Sequence, residues 1–102
     1  GIIKLDVKDL CSKNVGAENY IKIAKFTKFM IVENIPNFNN DNSNQQQRFI
    51  TLIDILYEKK IPLMLTSQLS LDLLSSSFVL KQAFKRTISR MRELTTIKNI
   101  YL

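Results

Sequence analysis

The chain has 102 residues, 45% of them apolar, with only two Gly and two Pro, which allows one modest core and excludes a collagen-like or loop-rich protein. It contains no His and a single Cys, Cys11, so Ser-His and Cys-His catalysis, most zinc chemistry and an internal disulfide are all excluded. The net charge of +6 admits an anionic partner without naming one, and it is spread over many Lys and Arg rather than gathered in a tail.

"IIKLDV" (2–7) alternates imperfectly and reads as a short edge strand, followed by a turn of helix into Cys11. "VGAENYIKIAKF" (15–26) reads as a helix, with Ala17, Tyr20, Ile21 and Ala24 on one face and Glu18 in the first turn, where the helix dipole favours an acid. In "KFMIVENIP" (28–36) the unbroken run Phe29 to Val32 predicts a strand buried on both faces, as in a parallel sheet. The Asn-rich stretch 37–47 is the one low-complexity segment and reads as a polar loop. Ser43 and Gln46 have the spacing of a capping box for the next helix.

That helix, about 44–60, carries Phe49, Leu52, Ile53 and Leu56 on its core face, with Gln47, Thr51, Asp54 and Glu58 opposite. "IPLMLTSQ" (61–68) is the next strand, with Pro62 tolerable near its start. Strand 28–33, helix 44–60 and strand 61–67 form a βαβ unit, right-handed by default. "SLDLLSSS" (70–77) is a short helix and a Ser-rich turn, and 80–94 is a final helix with Leu80, Phe84, Ile88, Met91 and Leu94 on its buried face. The fold class expected is α/β, a single domain over 1–102 with a short parallel sheet flanked by helices. No apolar run approaches the roughly twenty residues of a membrane helix, and no signal-peptide pattern opens the sequence.

Four blocks carry a resemblance: "LCSKNVGAENYIKIAKF", "FMIVENIP", "QRFITLIDILYEKKIPLMLTSQLSLDLL" and "FKRTISRMREL…YL". In order and spacing they resemble the C-terminal part of a P-loop ATPase family that includes the bacterial cell-division ATPase ZapE and the mitochondrial Afg-one-like ATPases. Family versions read L-C-x-x-x-x-G-A-x-D-Y, a strand ending D-V-P or D-I-P, R-R-F-I-x-L-I/V-D-x-L/F-Y-E and F-x-R-T/C-L/I/V-S-R-L/M-x-E. The likeness covers nearly the whole chain, and the blocks at Arg48 to Glu58 and Arg86 to Glu93 are the most specific. Three positions depart from the pattern: Asn19 stands for the Asp of G-A-x-D-Y, Glu33-Asn34 replaces the Asp before the hydrophobic-Pro pair, and Gln47-Arg48 replaces the Arg pair.

The family's Walker A and Walker B motifs lie upstream of the matched blocks. This sequence holds neither G-x-x-x-x-G-K-S/T nor G-x-G-x-x-G, the usual phosphate cradles. The resemblance thus implies a partial P-loop-NTPase-like domain without the P-loop, inactive alone and binding no cofactor itself. The parent would use ATP and Mg²⁺ for protein remodelling, cell division or mitochondrial-type quality control. The implied partners are an N-terminal P-loop half and a cell-division or membrane-associated protein. The implied location is the bacterial cytoplasm or inner-membrane periphery, or the mitochondrion in a eukaryote.

Arg86 and Arg90, inside F-x-R-T-I-S-R, are the candidate nucleotide-binding residues, because the planar guanidinium fork suits phosphate. A solvated basic face, or an ion pair with a missing domain, is the competing reading. Glu33 with Thr66-Ser67-Gln68 mimics an acid and a polar cluster at adjacent strand ends, as at the Mg²⁺ and water-orienting positions of a P-loop core. Strand ends that simply exit into polar loops would give the same pattern. Asp54 and Glu58 read as a solvated carboxylate pair, Cys11 as a buried thiol, and Asp6 and Asp9 lack companions for a metal. Lys81, Lys85, Arg86, Arg90 and Arg92 crowd the last helix, which keeps a small nucleic-acid-binding or protein-interaction module as the alternative. No aromatic residues alternate with them to stack bases, so nucleic acid is disfavoured.

Overall fold

The apolar run from Phe29 forms the middle strand of a three-stranded, all-parallel sheet. A computed structural model describes residues 1–96; Tyr101 and Leu102, which end the fourth block, lie outside the described residues. The order along the chain is β1 (Ile2–Asp6), α1 (Val7–Leu10), α2 (Ala17–Lys25), β2 (Phe29–Ile35), α3 (Ser43–Glu58), β3 (Leu63–Ser67) and α4 (Lys81–Thr95). Single 3₁₀ turns at Asn40–Asn42 and Leu71–Leu73 precede α3 and α4. The sheet runs β1-β2-β3, so both the expected βαβ unit and a second one, β1 to β2, are present.

Strands added in one direction by right-handed crossovers place their helices on the same side of the sheet. The core agrees: Met30, Val32 and Leu63 share one cluster with Tyr20 of α2, Leu52 and Ile53 of α3 and Met91 of α4. The expectation that β2 is buried on both faces holds for Phe29, Met30 and Val32, while Ile31 is half-buried. All four residues assigned to the core face of α3 are buried, together with Gln46 and Ile50. On α4, Phe84, Met91 and Leu94 are buried, Leu80 and Ile88 are half-buried, and Thr87 fills a core position.

α3 ends in a Schellman arrangement. The Lys60 N–H donates to the Tyr57 carbonyl (3.1 Å) and the Ile61 N–H to that of Leu56 (3.0 Å). Lys60 takes the left-handed position (φ 56°) that usually belongs to Gly.

Two expectations are corrected here. Ser43 and Gln46 do not form a capping box. The 3₁₀ turn runs directly into α3, Ser43 is already helical, and Asn39 caps the turn instead, its Oδ1 accepting from the Asp41 N–H (2.8 Å). The Asn-rich stretch 37–47 is not a loop throughout, since 40–42 form the 3₁₀ turn and 43–47 already belong to α3, and its side chains bond to a distant segment. Asn37 Oδ1 accepts from the Ser75 N–H (2.7 Å) and Asn40 Oδ1 from the Phe78 N–H (2.9 Å). Gln46, fully buried, donates to Ser76 Oγ (2.7 Å) and accepts from the Ser77 N–H (3.0 Å). These bonds tie 37–46 to 75–78 and close over Phe38, which is fully buried with its ring 5.5 Å from those of Phe49 and Phe84.

Gln46→Ala should therefore orphan a buried N–H and destabilise the chain by about 2 kcal/mol, a fall in melting temperature of roughly 10 °C. Gln47→Ala, at the exposed neighbour, should stay within about 0.5 kcal/mol of the parent. Calorimetric melting of both variants checks this, and equal shifts would remove the latch.

Candidate functional site

In open parallel sheets, ligands bind outside the carboxyl ends of the strands. At that end β1 closes on Asp6, β2 on Glu33, Asn34 and Ile35, and β3 on Thr66 and Ser67. The ladder is irregular there: Val32 faces Leu65 and Ile35 faces Ser67, so Glu33 and Asn34 together oppose Thr66 alone. Asn34 takes the left-handed conformation (φ 60°), which Asn and Asp tolerate better than other non-Gly residues. Its N–H donates to Thr66 Oγ1 (2.9 Å), and its side-chain amide donates to Asp6 Oδ2 (2.5 Å). That bond is the main cause, with the Lys8 N–H second, of an Asp6 pKa below its ordinary value.

Beside this knot lies a cavity of about 450 Å³, lined by Asn34, Pro36, Asn37, Ser67, Gln68 and Leu69. The structure brings Glu33 and the Thr66-Ser67-Gln68 cluster to the same edge, but each group is engaged locally. Glu33 pairs with Lys4 (3.1 Å), Thr66 Oγ1 accepts from Asn34, and Ser67 Oγ accepts from the Leu69 N–H (3.1 Å). Among the described residues no three His, Cys, Asp or Glu side chains converge to hold a metal. These donors, each engaged with its own neighbour, do not fit Mg²⁺ with a nucleotide.

The second candidate region lies between α3 and α4. Arg86 is exposed. Arg90, one turn on, is not free: its Nη1 donates to Asp54 of α3 and its guanidinium lies over the Tyr57 ring, 4.7 Å from the centroid. Lys60 Nζ stands 4.4 Å from the same ring. The Tyr57 hydroxyl donates to Glu93 Oε2 (2.8 Å), which holds the phenol pKa above its ordinary value. Asp54 is therefore not part of a solvated pair with Glu58, which is exposed; it is half-buried because α4 crosses α3 at that turn. The Arg90–Asp54 contact joins residues 36 apart, and no local spacing announces it.

Along the other flank of α4 a groove of about 530 Å³ has Leu71, Leu74, Phe84 and Ile88 as its apolar lining and Lys81 and Lys85 among its polar residues. Arg92 there pairs with Asp72. Two of the five cations on this helix are thus already partnered within the chain. Cys11 is buried as expected, and burial raises its thiol pKa to about 11. The buried Tyr20 hydroxyl, also raised by burial, donates to the Leu10 carbonyl (2.6 Å).

The sequence matches the family model of the AFG1-like ATPases over residues 1–101. The chain belongs to the AFG1-like ATPase family. It is similar to lactation elevated protein 1 homolog B of Danio rerio, with 33% identity over 65 residues covering 64% of this chain and 13% of that protein. No solved structure matches it. Family membership agrees with the four blocks, and the structure explains one departure from their pattern. An Asp at position 34 would face the Asp6 carboxylate with no proton to donate, whereas Asn34 supplies one.

Asn34→Asp should consequently lower the melting temperature at pH 7 and recover as the pH falls towards the acid range, where one carboxyl of the pair, its pKa raised by the other, takes up a proton. In the parent the sign is opposite. The depressed Asp6 pKa stabilises the fold above its unfolded value of 3.8, and that contribution is lost as the pH falls through the folded value. Thermal melts of both proteins between pH 3 and 7 test the crossing.

A second expectation separates the two arginines. The sequence places both away from the apolar face, which predicts little effect of either on folding. The α3 contacts of Arg90 revise that: Arg90→Ala should cost about 1 kcal/mol, because its pair with Asp54 is only partly buried. Arg86→Ala should cost nothing measurable in a urea titration.

Proposed function

We propose that this chain is the C-terminal, non-catalytic portion of an AFG1-like ATPase. ATP and Mg²⁺ are held by a P-loop half outside it, and hydrolysis there drives remodelling of a protein substrate, in cell division or mitochondrial-type quality control. The single observation that carries the reading is the family match over residues 1–101 in a sequence without a Gly-rich phosphate cradle or its lysine. The engagement of Glu33, Thr66 and Ser67 with their own neighbours supports it, since a working centre would keep such groups aimed at ligand.

Within this reading Arg86 and Arg90 take different parts. Arg86 is exposed on the most specific motif of the last helix and is the residue offered to a phosphate or carboxylate of the P-loop half. Arg90 reaches the same ligand only by leaving Asp54 and Tyr57, and otherwise holds α4 against α3 so that Arg86 is presented at a fixed angle. The working location is the bacterial cytoplasm or inner-membrane periphery, or the mitochondrion. In the described residues no helix is long and apolar enough to cross a membrane.

The chain alone should release phosphate from ATP at the rate of a protein-free blank. Combined with its P-loop half, Arg86→Lys should lower turnover about tenfold, roughly 1.4 kcal/mol of barrier, because the bidentate fork is lost while the charge stays. Turnover that follows the isolated chain through purification would end the reading. Unchanged turnover of the lysine variant would return Arg86 to the solvated surface.

A further inference from the structure

The sheet has two faces, and helices of this chain occupy one. The register sets Ile2 opposite Phe29 and Ile31 opposite Met64, with Lys4 on the other side of Ile31. None of Ile2, Phe29, Ile31 and Met64 belongs to the core cluster that gathers Met30, Val32 and Leu63 from the alternate positions. On the central strand Phe29 is 7% exposed and Ile31 half-buried, whereas the two members on the edge strands, Ile2 and Met64, remain 59% and 48% exposed. Of the charges on this face, Lys4 Nζ lies 3.1 Å from Glu33 Oε1, and Asp6, at the carboxyl end of β1, accepts from the Asn34 amide. Lys81, Lys85 and Arg86, which have no ion-pair partner among the described residues, belong to α4, on the helical side.

A parallel sheet is ordinarily covered by helices on both faces. The part of the Danio rerio relative matched here is only 13% of that protein, so such an ATPase carries ample further chain. The geometry points to the bare face of the β1-β2-β3 sheet as the docking surface for an apolar, uncharged helix of the P-loop half. The inference rests on the reading under Proposed function and adds which surface is used. Size argues against a second copy of this chain. Three strands about 4.8 Å apart and five residues long present roughly 250 Å², far below the about 800 Å² per partner of a stable standard interface. As one layer of a larger intramolecular contact, the same patch suffices.

The test uses the whole 102-residue chain and the separately produced P-loop half, whose own folding is checked by its ATP binding. Ile2→Lys with Met64→Lys should weaken calorimetric binding about a hundredfold by setting charge against an apolar helix, while the variant alone melts within a few degrees of the parent chain. Lys81→Glu with Lys85→Glu should bind as the parent does. Undiminished binding by the first variant overturns the docking face and leaves the functional reading standing. Failure of the unmodified chain to bind a folded P-loop half overturns both. Sedimentation showing a dimer of the chain that the first variant dissociates would assign the face to a second copy and overturn this occupant.

Discussion

Parallel neighbours joined by right-handed crossovers leave their helices on one side whenever the strands are added in a single direction. That constraint governs the molecule. It sends α2 and α3 to one face, where α4 joins them and Tyr20, Leu52, Ile53 and Met91 meet Met30, Val32 and Leu63 in a continuous core. It also leaves the opposite face without a helix among the described residues, and Ile2 and Met64 there are exposed. A doubly wound protein escapes this by reversing the direction of strand addition, which places helices on both sides. Three strands in the order β1-β2-β3 contain no reversal.

Periodic elements were legible where burial and spacing act locally, though on α2 only Tyr20 and Ala24 of the expected face are buried, while Ala17 and Ile21 are exposed. The run from Phe29 to Val32 and the 3.6-residue recurrence of Phe49, Leu52, Ile53 and Leu56 read correctly without tertiary information. Phe38 escaped because it stands alone in an Asn-rich stretch, with no periodic partner to mark it as core. Its burial depends on side-chain amides from that stretch reaching backbone 31 to 38 residues on, at Ser75, Ser77 and Phe78. Ser-x-x-Gln spacing suggested a cap at Ser43. The buried backbone of Ser77 outcompeted that local use of Gln46, since an orphaned N–H in the core costs more than an uncapped helix end in water.

The candidate arginines show where helical spacing stops informing. Arg86 and Arg90 are equivalent on a helical wheel to within one turn, yet α3 crosses α4 at only one of them. Asp54 and Tyr57, themselves three apart on one face of α3, take the guanidinium from two directions. Such a pair, about a third exposed, adds little net stability. It fixes the rotation of α4 about its axis, and with it the direction in which Arg86 leaves the surface.

Alternation along β2 makes the same point about the strand ends. Met30 and Val32 point inward, so a regular strand would next turn position 34 inward and Ile35 out. The extra residue opposite Thr66 reverses this. Asn34 drops out of the pleat in the left-handed conformation, and Ile35 returns to the core at 4% exposure, facing Ser67. Pro36 then leads the chain inward toward Phe38 rather than away into solvent. The bulge is thus what lets a short strand end in a buried loop, and it confines position 34 to residues that accept positive φ. Among these Gly would release Asp6 and Asp would repel it, whereas Asn both fits the backbone and donates to that carboxylate. Two features that look separate in sequence, an Asn where the family carries an Asp and an Asp6 without companions for a metal, are one hydrogen bond in the fold.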